Sequence, residues 1–376
     1  MRVLSSIAGS LLGATTFWLM WPAPFEPATW IEPEPPELTG ALRENNALAD
    51  AQTVMLGAHG AGEGLAVDDE GRVYFGTRDG RVGRLVPGEQ HDDWLIEDIA
   101  QISNTPIMGL QWIDEHTLGL AANAGLMALD TRSLDVTSLS TGSPVRPFGF
   151  VNDLATAPDN TVYFTDSSTR WGHSSDSPGY LYDMLENRPH GMLYAWDPVT
   201  RQTEVIVDRL YYPNGIVVLP DGQSVLVSET FRYAIQRIWI DGPRRGEIEV
   251  FADNLPGMPD GMQLDANGRL YIAMLGQRSG LLRAVRAQPA WTKLIVKLPA
   301  WLRPDGGRTT GFVLVMDVET RAVLDTYHDG DGALNYVSSV ALDPDGQLWF
   351  GSTYGAYAAR LDLRHRAAIA DSEQSR

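Results

Sequence analysis

Six short turns punctuate this chain at nearly regular intervals, and each hands on to a brief apolar strand. The turn residues are Gly71, His116, Asn160, Gly222, Gly268 and Gly346, in contexts such as Pro220-Asp221-Gly222 and Pro344-Asp345-Gly346. Runs such as Val73-Tyr74-Phe75, Val162-Tyr163-Phe164 and Leu348-Trp349-Phe350 follow them. Successive turns lie 45, 44, 62, 46 and 78 residues apart, a basic period stretched twice by an insertion. A strand-built repeat of that length cannot bury its own apolar face. Copies arranged around an axis can, with one four-stranded blade per repeat. The repeat therefore predicts an all-β fold, a six-bladed β-propeller. The last unit ends at Tyr357–Leu363 without an outermost strand, so a segment within residues 39–57 should supply it and close the ring.

The repeat also says which residues are equivalent around the axis. Eight positions before the turns stand Glu63, Met108, Asn152, Asn214, Asp260 and Ser338. Each opens an innermost strand, so the six should point at one place in the central channel. Glu63, Asn152, Asn214 and Asp260 together offer two carboxylates and two amides. That oxygen-only set suits Ca²⁺ or another hard divalent cation. Zinc or copper would want His or Cys, and neither falls on this register. The competing reading is that Asn and Asp open strands by satisfying nearby backbone groups. Four oxygen-bearing residues in one register, one of them a Glu, favour the cation.

Among 376 residues the net charge is −19, which argues against nucleic acid as a partner. With no cysteine, disulfides, thiol catalysis and thiolate metal sites are excluded. Beyond Arg2, the run from Val3 to Trp21 carries no charge and is long enough to cross a bilayer as a helix. It predicts an N-terminal hydrophobic anchor helix over residues 1–22, Arg2 on the cytoplasmic side, and a propeller in the periplasm, lumen or extracellular space. Secretion after cleavage of a signal segment is the alternative. Residues 23–38 read as a Pro-rich spacer, 39–366 as the propeller and 367–376 as a disordered tail. Two insertions, 171–190 and 276–310, fit either a lid over the channel or decoration of the rim. The second, with Trp291, Trp301, Arg283, Arg286 and Lys293, also fits a segment lying on a membrane surface.

Several stretches carry a family likeness: Asn152-Asp153-Leu154, Thr165-Asp166-Ser167-Ser168, Tyr212-Pro213-Asn214-Gly215, Pro256-Gly257-Met258-Pro259-Asp260-Gly261 and His328-Asp329-Gly330-Asp331-Gly332. Over roughly residues 55–363 the chain resembles the superfamily of gluconolactonase, regucalcin and the strictosidine-synthase-like proteins, which includes the paraoxonases. It is most similar to the membrane-anchored, arylesterase-like branch, the adipocyte plasma membrane-associated group. In the hydrolytic members the resemblance implies one Ca²⁺ on a Glu, two Asn and an Asp, which match Glu63, Asn152, Asn214 and Asp260. It further implies a lactone or aryl ester as substrate. Strictosidine synthase itself works without metal through a glutamate in the last blade. This chain has no Glu between Arg321 and Asp371, which disfavours that chemistry.

For the catalytic carboxylate Asp260 is the first candidate, since a ligand can keep one oxygen toward the substrate. Asp153 is the second, standing where other blades have Gly, with a role in orienting Asn152 as its plainer reading. Among histidines, His116 reads as an inert turn residue, while His173, His190 and His328 belong to loops near the channel mouth. His328 has the best context for a general base. Asp166 and Glu229 read as braces between strands. No Gly-x-Ser-x-Gly elbow is present, against a serine hydrolase. The reading is a Ca²⁺-dependent hydrolase of small esters or lactones. A metal-free synthase and a non-catalytic binding propeller stand as alternatives.

Overall fold

A computed structural model describes residues 22–57, 62–88, 93–123, 125–172, 179–298, 302 and 310–364. The proposed anchor, His173, Trp301 and the C-terminal tail lie outside the described residues. Among those described, no helix is long and apolar enough to cross a membrane.

Six four-stranded antiparallel sheets form, each built from consecutive strands except the last. Their innermost strands are Leu65–Val67, Ile107–Trp112, Val151–Thr156, Pro213–Val218, Gly257–Leu264 and Val337–Leu342, in blades one to six. Each predicted turn follows its inner strand. Gly71, Asn160, Gly222, Gly268 and Gly346 all take positive φ, between 64° and 80°, which Gly and Asn reach at least cost. At His116 the bend is held differently. Asp114 Oδ1 accepts the backbone N–H of both His116 and Thr117 at 2.9 Å.

The ring closes as the repeat requires. Gln52–Met55 pairs antiparallel with Tyr357–Asp362, Gln52 opposite Arg360 and Met55 opposite Tyr357, and completes blade six. The cores between blades are apolar and include the fully buried Val73, Phe75, Phe164, Val227, Ile272 and Phe350.

The insertions hold three short helices: α1 (Gly179–Glu186), α2 (Gly280–Arg286) and α3 (Pro289–Ile295). The Pro-rich segment expected to be a spacer is instead clamped to the protein beside them. Phe25 is buried against Trp171 and Tyr182. Trp30 stacks on Tyr233 beneath the guanidinium groups of Arg232 and Arg286. Glu32 pairs with Arg278 at 2.9 Å, each side chain only 1% exposed. Proline stiffens such a segment, so its aromatic and acidic side chains dock at a smaller loss of chain entropy.

Candidate metal centre and active site

At five of the six hub positions the inner strand carries one residue more than its neighbour. In blade three, Val151 pairs with Asp166 but Leu154 with Phe164, so the extra residue falls at Asn152-Asp153. The same slip occurs at Asn214-Gly215, at Asp260-Gly261, beside Ser338 and beside Met108. Such a bulge releases a residue from the ladder and re-aims its side chain. Here it turns the hub side chains toward the axis.

Close packing of the strands needs a second device. The residue after the hub position is Gly64, Gly109, Gly215 and Gly261 in blades one, two, four and five. A Cβ on Gly64 would come within 2.6 Å of Met108 O, on Gly215 within 2.2 Å of Asp260 O, and on Gly261 within 2.8 Å of Ser338 O. Each glycine thus lets its strand press against the hub residue of the next blade.

All six hub residues and Asp153 line one cavity of about 310 Å³, which runs from the hub toward the turns at Pro220 and Asp265. Glu63, Asn152, Asn214 and Asp260 are brought together there, as the register count requires. Asn152 spends its amide nitrogen on Ser167 Oγ at 2.9 Å, so its carbonyl oxygen is the end presented to the cavity. Ser167 in turn donates to Pro213 O at 2.7 Å, and Thr165 Oγ1 donates to Asn214 O at 2.8 Å. Ser228 Oγ donates to Asp260 O at 2.9 Å. The hydroxyls of the Thr-Asp-Ser-Ser stretch therefore fix the backbone from which the hub amides project.

The electrostatics are those of crowded, desolvated acids. Burial pushes Glu63 up to about 8; the nearby Asp153 adds to the rise, while Arg78 and a hydrogen bond with Thr353 oppose it. Burial likewise raises Asp153 to about 7. Asp260 lies well above the usual carboxylate range, through burial first and then repulsion from Glu63 and Asp153. Among the described residues no Lys or Arg lines the cavity. Two carboxylates and two amides, in a site where burial resists unbalanced negative charge, fit a hard divalent cation held by oxygen. Among the described residues no three His, Cys, Asp or Glu side chains gather into a ligand cluster by themselves. The candidate cage is half amide.

Asp153 is in the cavity wall, but both its oxygens are engaged. Oδ1 accepts Leu154 N–H at 2.9 Å and Oδ2 accepts Ile216 N–H at 3.2 Å, which ties blade three to blade four. It is placed to position the strand bearing Asn214 rather than to take a proton. His328 is not in the cavity. It ends the outermost strand of blade five, Val323–His328, and stacks on Phe312 with ring centroids 4.2 Å apart. The strand continues through the position that read as loop, which keeps the imidazole at the blade's outer side. His190 is also spoken for, with Nε2 2.8 Å from Glu186 Oε2. His116 lies in its turn. Asp166 accepts the N–H groups of Gly149 and Phe150, both at 2.8 Å, and Glu229 that of Tyr211 at 2.7 Å. Both brace the segment entering a hub strand.

Several residues near the hub escaped the sequence reading. Tyr212 is buried among Phe150, Phe231, Met108, Met184 and Met258, and its hydroxyl feels Asp183, Glu63 and Asp260 together. Asp183 belongs to α1, which lies over this side of the channel; burial raises it to about 8. Tyr354 interacts with Tyr180 of the same helix. Tyr212 stood in the Tyr-Pro-Asn-Gly stretch, a usable signal. The roof formed by α1 left none beyond a possible lid.

Comparison with known proteins agrees with this architecture. The family model for strictosidine synthase matches residues 152–243, that for the N-terminal part of strictosidine synthase-like proteins residues 40–85, and a two-component regulator propeller model residues 331–354. The adipocyte plasma membrane-associated protein of Rattus norvegicus is 30% identical over 385 residues, covering 96% of this chain and 97% of the relative. The chain belongs to that strictosidine-synthase-like family. Solved structures show the same fold. A gluconolactonase from Xanthomonas campestris aligns with a TM-score of 0.59 at 19% identity, covering 90% of this chain and 98% of the other. Regucalcin from Agrobacterium tumefaciens, a calcium-binding protein, aligns at 0.56 and 17%, covering 83% and 93%.

Proposed function

We propose that this propeller is a divalent-cation-dependent hydrolase of lactones or aryl esters, with Ca²⁺ as the expected ion. The observation that carries the reading is the convergence of Glu63, Asn152, Asn214 and Asp260 on one buried cavity with no Lys or Arg among its described lining residues, where the carboxylates ionise only at a cost that a cation would offset. These four would hold the ion, which supplies Lewis-acid polarisation of the substrate carbonyl when bound. The likeness to a gluconolactonase and to a calcium-binding regucalcin supports the same class.

The chain's own residues do the rest. Asp260 accepts a hydrogen bond from Asn214, which orients its carboxylate. It is the group to take a proton from attacking water, or to attack directly. Asp153 and the Thr165–Ser167 hydroxyls keep the hub strands in place. Met108, Leu65, Leu110, Ile216 and Met262 give the cavity wall apolar surface that suits an aryl or acyl group. The strictosidine synthase match ends at residue 243, before blade six, and that blade presents Ser338 at the hub where a synthase would need an acid nearby.

The relatives' name supports a further part of the reading, association with a membrane; attachment through residues 1–22 with the propeller outside the cytoplasm is our proposal. Protease protection of intact membranes checks it. The catalytic reading is tested by metal analysis of purified protein, calcium titration, and hydrolysis of phenyl acetate and a simple lactone with and without EDTA. Turnover that survives complete chelation, or persists in Glu63→Gln and Asp260→Asn, removes it.

A further inference from the structure

Four of the six hub residues make up the candidate cage. The other two, Met108 and Ser338, have no place in it. Met108 offers only a thioether and joins the apolar cluster. Ser338 is different. It is 1% exposed, it lines the same cavity as the four cage residues, and its Oγ is buried with no hydrogen-bond partner among the described residues. A buried hydroxyl is normally paired, so an unpartnered one in a residue that lines a cavity marks a place for a ligand.

Its position around the ring is informative. The inner strand of blade six packs between those of blades five and one. Ser338 O sits against Gly261, the residue after Asp260. Ser338 thus occupies the arc between Asp260 and Glu63, the two carboxylates of the hub. A substrate oxygen entering that arc has an acid on either side, and a hydroxyl donor there would help to hold it. Neighbouring Ser339 also lines the cavity with an unpartnered Oγ, but that oxygen lies against Gly351, where a Cβ would come within 2.3 Å of it, and only Ser338 holds the hub position.

We propose that Ser338 is a catalytic hydrogen-bond donor, its hydroxyl contacting the carbonyl oxygen of the ester or lactone. The inference rests on the hydrolase reading above and adds a residue to it. As water adds to the carbonyl carbon, the C=O π pair moves onto that oxygen, and a proton passes from the water to Asp260. The Ser338 O–H bond strengthens as the charge grows. The pair then returns, the C–O bond to the leaving group breaks, and the departing oxygen takes the proton from Asp260. Only water is consumed.

The test uses the full chain as wild type, Ser338→Ala, Ser338→Thr and the control Ser339→Ala. It measures kcat and KM for phenyl acetate, the Kd of a phenyl methylphosphonate analogue, the calcium Kd by calorimetry, and Tm. Loss of one preorganised donor is expected to lower kcat of Ser338→Ala about 100-fold. Phosphonate binding should weaken in parallel, with KM, calcium Kd and Tm close to wild type. Ser338→Thr, which keeps the hydroxyl, should recover most of the rate, and Ser339→Ala should lose little. An unchanged kcat in Ser338→Ala overturns the assignment, as does a parallel loss of calcium affinity, which would make Ser338 a cation ligand. Wild type inactive on every ester and lactone tried would instead overturn the hydrolase reading, and this role with it.

Discussion

Asp153 of blade three accepts the backbone N–H of Ile216 in blade four, 3.2 Å away, two residues beyond the hub amide Asn214. One carboxylate oxygen therefore sets how the two blades meet at the axis. Asp153→Ala strands that buried N–H and the N–H of Leu154. It should cost about 1–3 kcal/mol in urea unfolding and weaken calcium binding. Asp153→Asn keeps one acceptor and should fall between the two. Equal stability in all three proteins would show that the bond carries no weight.

Gly215 faces Asp260 O so closely that a Cβ would approach to 2.2 Å. Gly215→Ala must push the blade-four strand away from the hub. We expect a loss of about 1–3 kcal/mol from overpacking, together with reduced calcium affinity. Gly222→Ala is the contrast: no atom lies within 4 Å, and only its φ of 64° is strained. It should leave calcium binding intact.

The acids of the hub set the pH dependence. Burial raises Glu63 from 4.5 to about 8 and Asp153 from 3.8 to about 7. Within that window the folded protein holds protons that the unfolded chain has released. The cost of ionising these groups inside the fold is absent below the unfolded values and complete above the folded ones. Stability of the cation-free protein must therefore fall as pH rises from about 4 to about 8. Urea midpoints in EDTA across that range measure it, and excess calcium should flatten the decline. A midpoint that rises with pH in EDTA would contradict the assignment.

Removing a hub charge should help the empty protein while harming its function. Glu63→Gln deletes a desolvated acid that Asp153 and Asp260 repel. Its Tm in EDTA near pH 8 is expected to exceed that of wild type, whereas the rise on adding calcium should disappear. A variant less stable than wild type in EDTA would mean that Glu63 serves the fold without an ion.

Glu32 carries the charge that answers Arg278 and Arg286 in the docked N-terminal segment. Glu32→Gln leaves two buried guanidinium groups short of a partner. Breaking a buried pair from one side costs about 3–5 kcal/mol. Because Ala28 N–H bonds to Glu186 O at the end of α1, the loss should also appear as faster amide exchange in that helix. Unchanged exchange would separate the segment from the roof.

The ring and its hub were readable because a repeat reports equivalence. Five of six turns needed a residue that tolerates positive φ, and counting back from them found Glu63, Asn152, Asn214 and Asp260 at one cavity. What the residue order concealed depends on contacts between distant segments. The role of Asp153 lies in a bond to a residue 63 positions away. His328 read as a residue of a loop near the channel mouth, yet the strand runs on through it. The Pro-rich stretch looked like a tether since nothing local reveals that Arg278, 246 residues later, would meet Glu32.

The strand that completes blade six comes from the beginning of the chain, so Gln52 waits for Arg360. During synthesis five blades can emerge and still have no finished partner at either end. The circle joins only after the last blade leaves the ribosome, a late, long-range step of the kind that slows folding. Once joined, neither Gln52–Met55 nor Tyr357–Asp362 can peel away without opening blade six, and resistance to unfolding rests on a seam of four residue pairs.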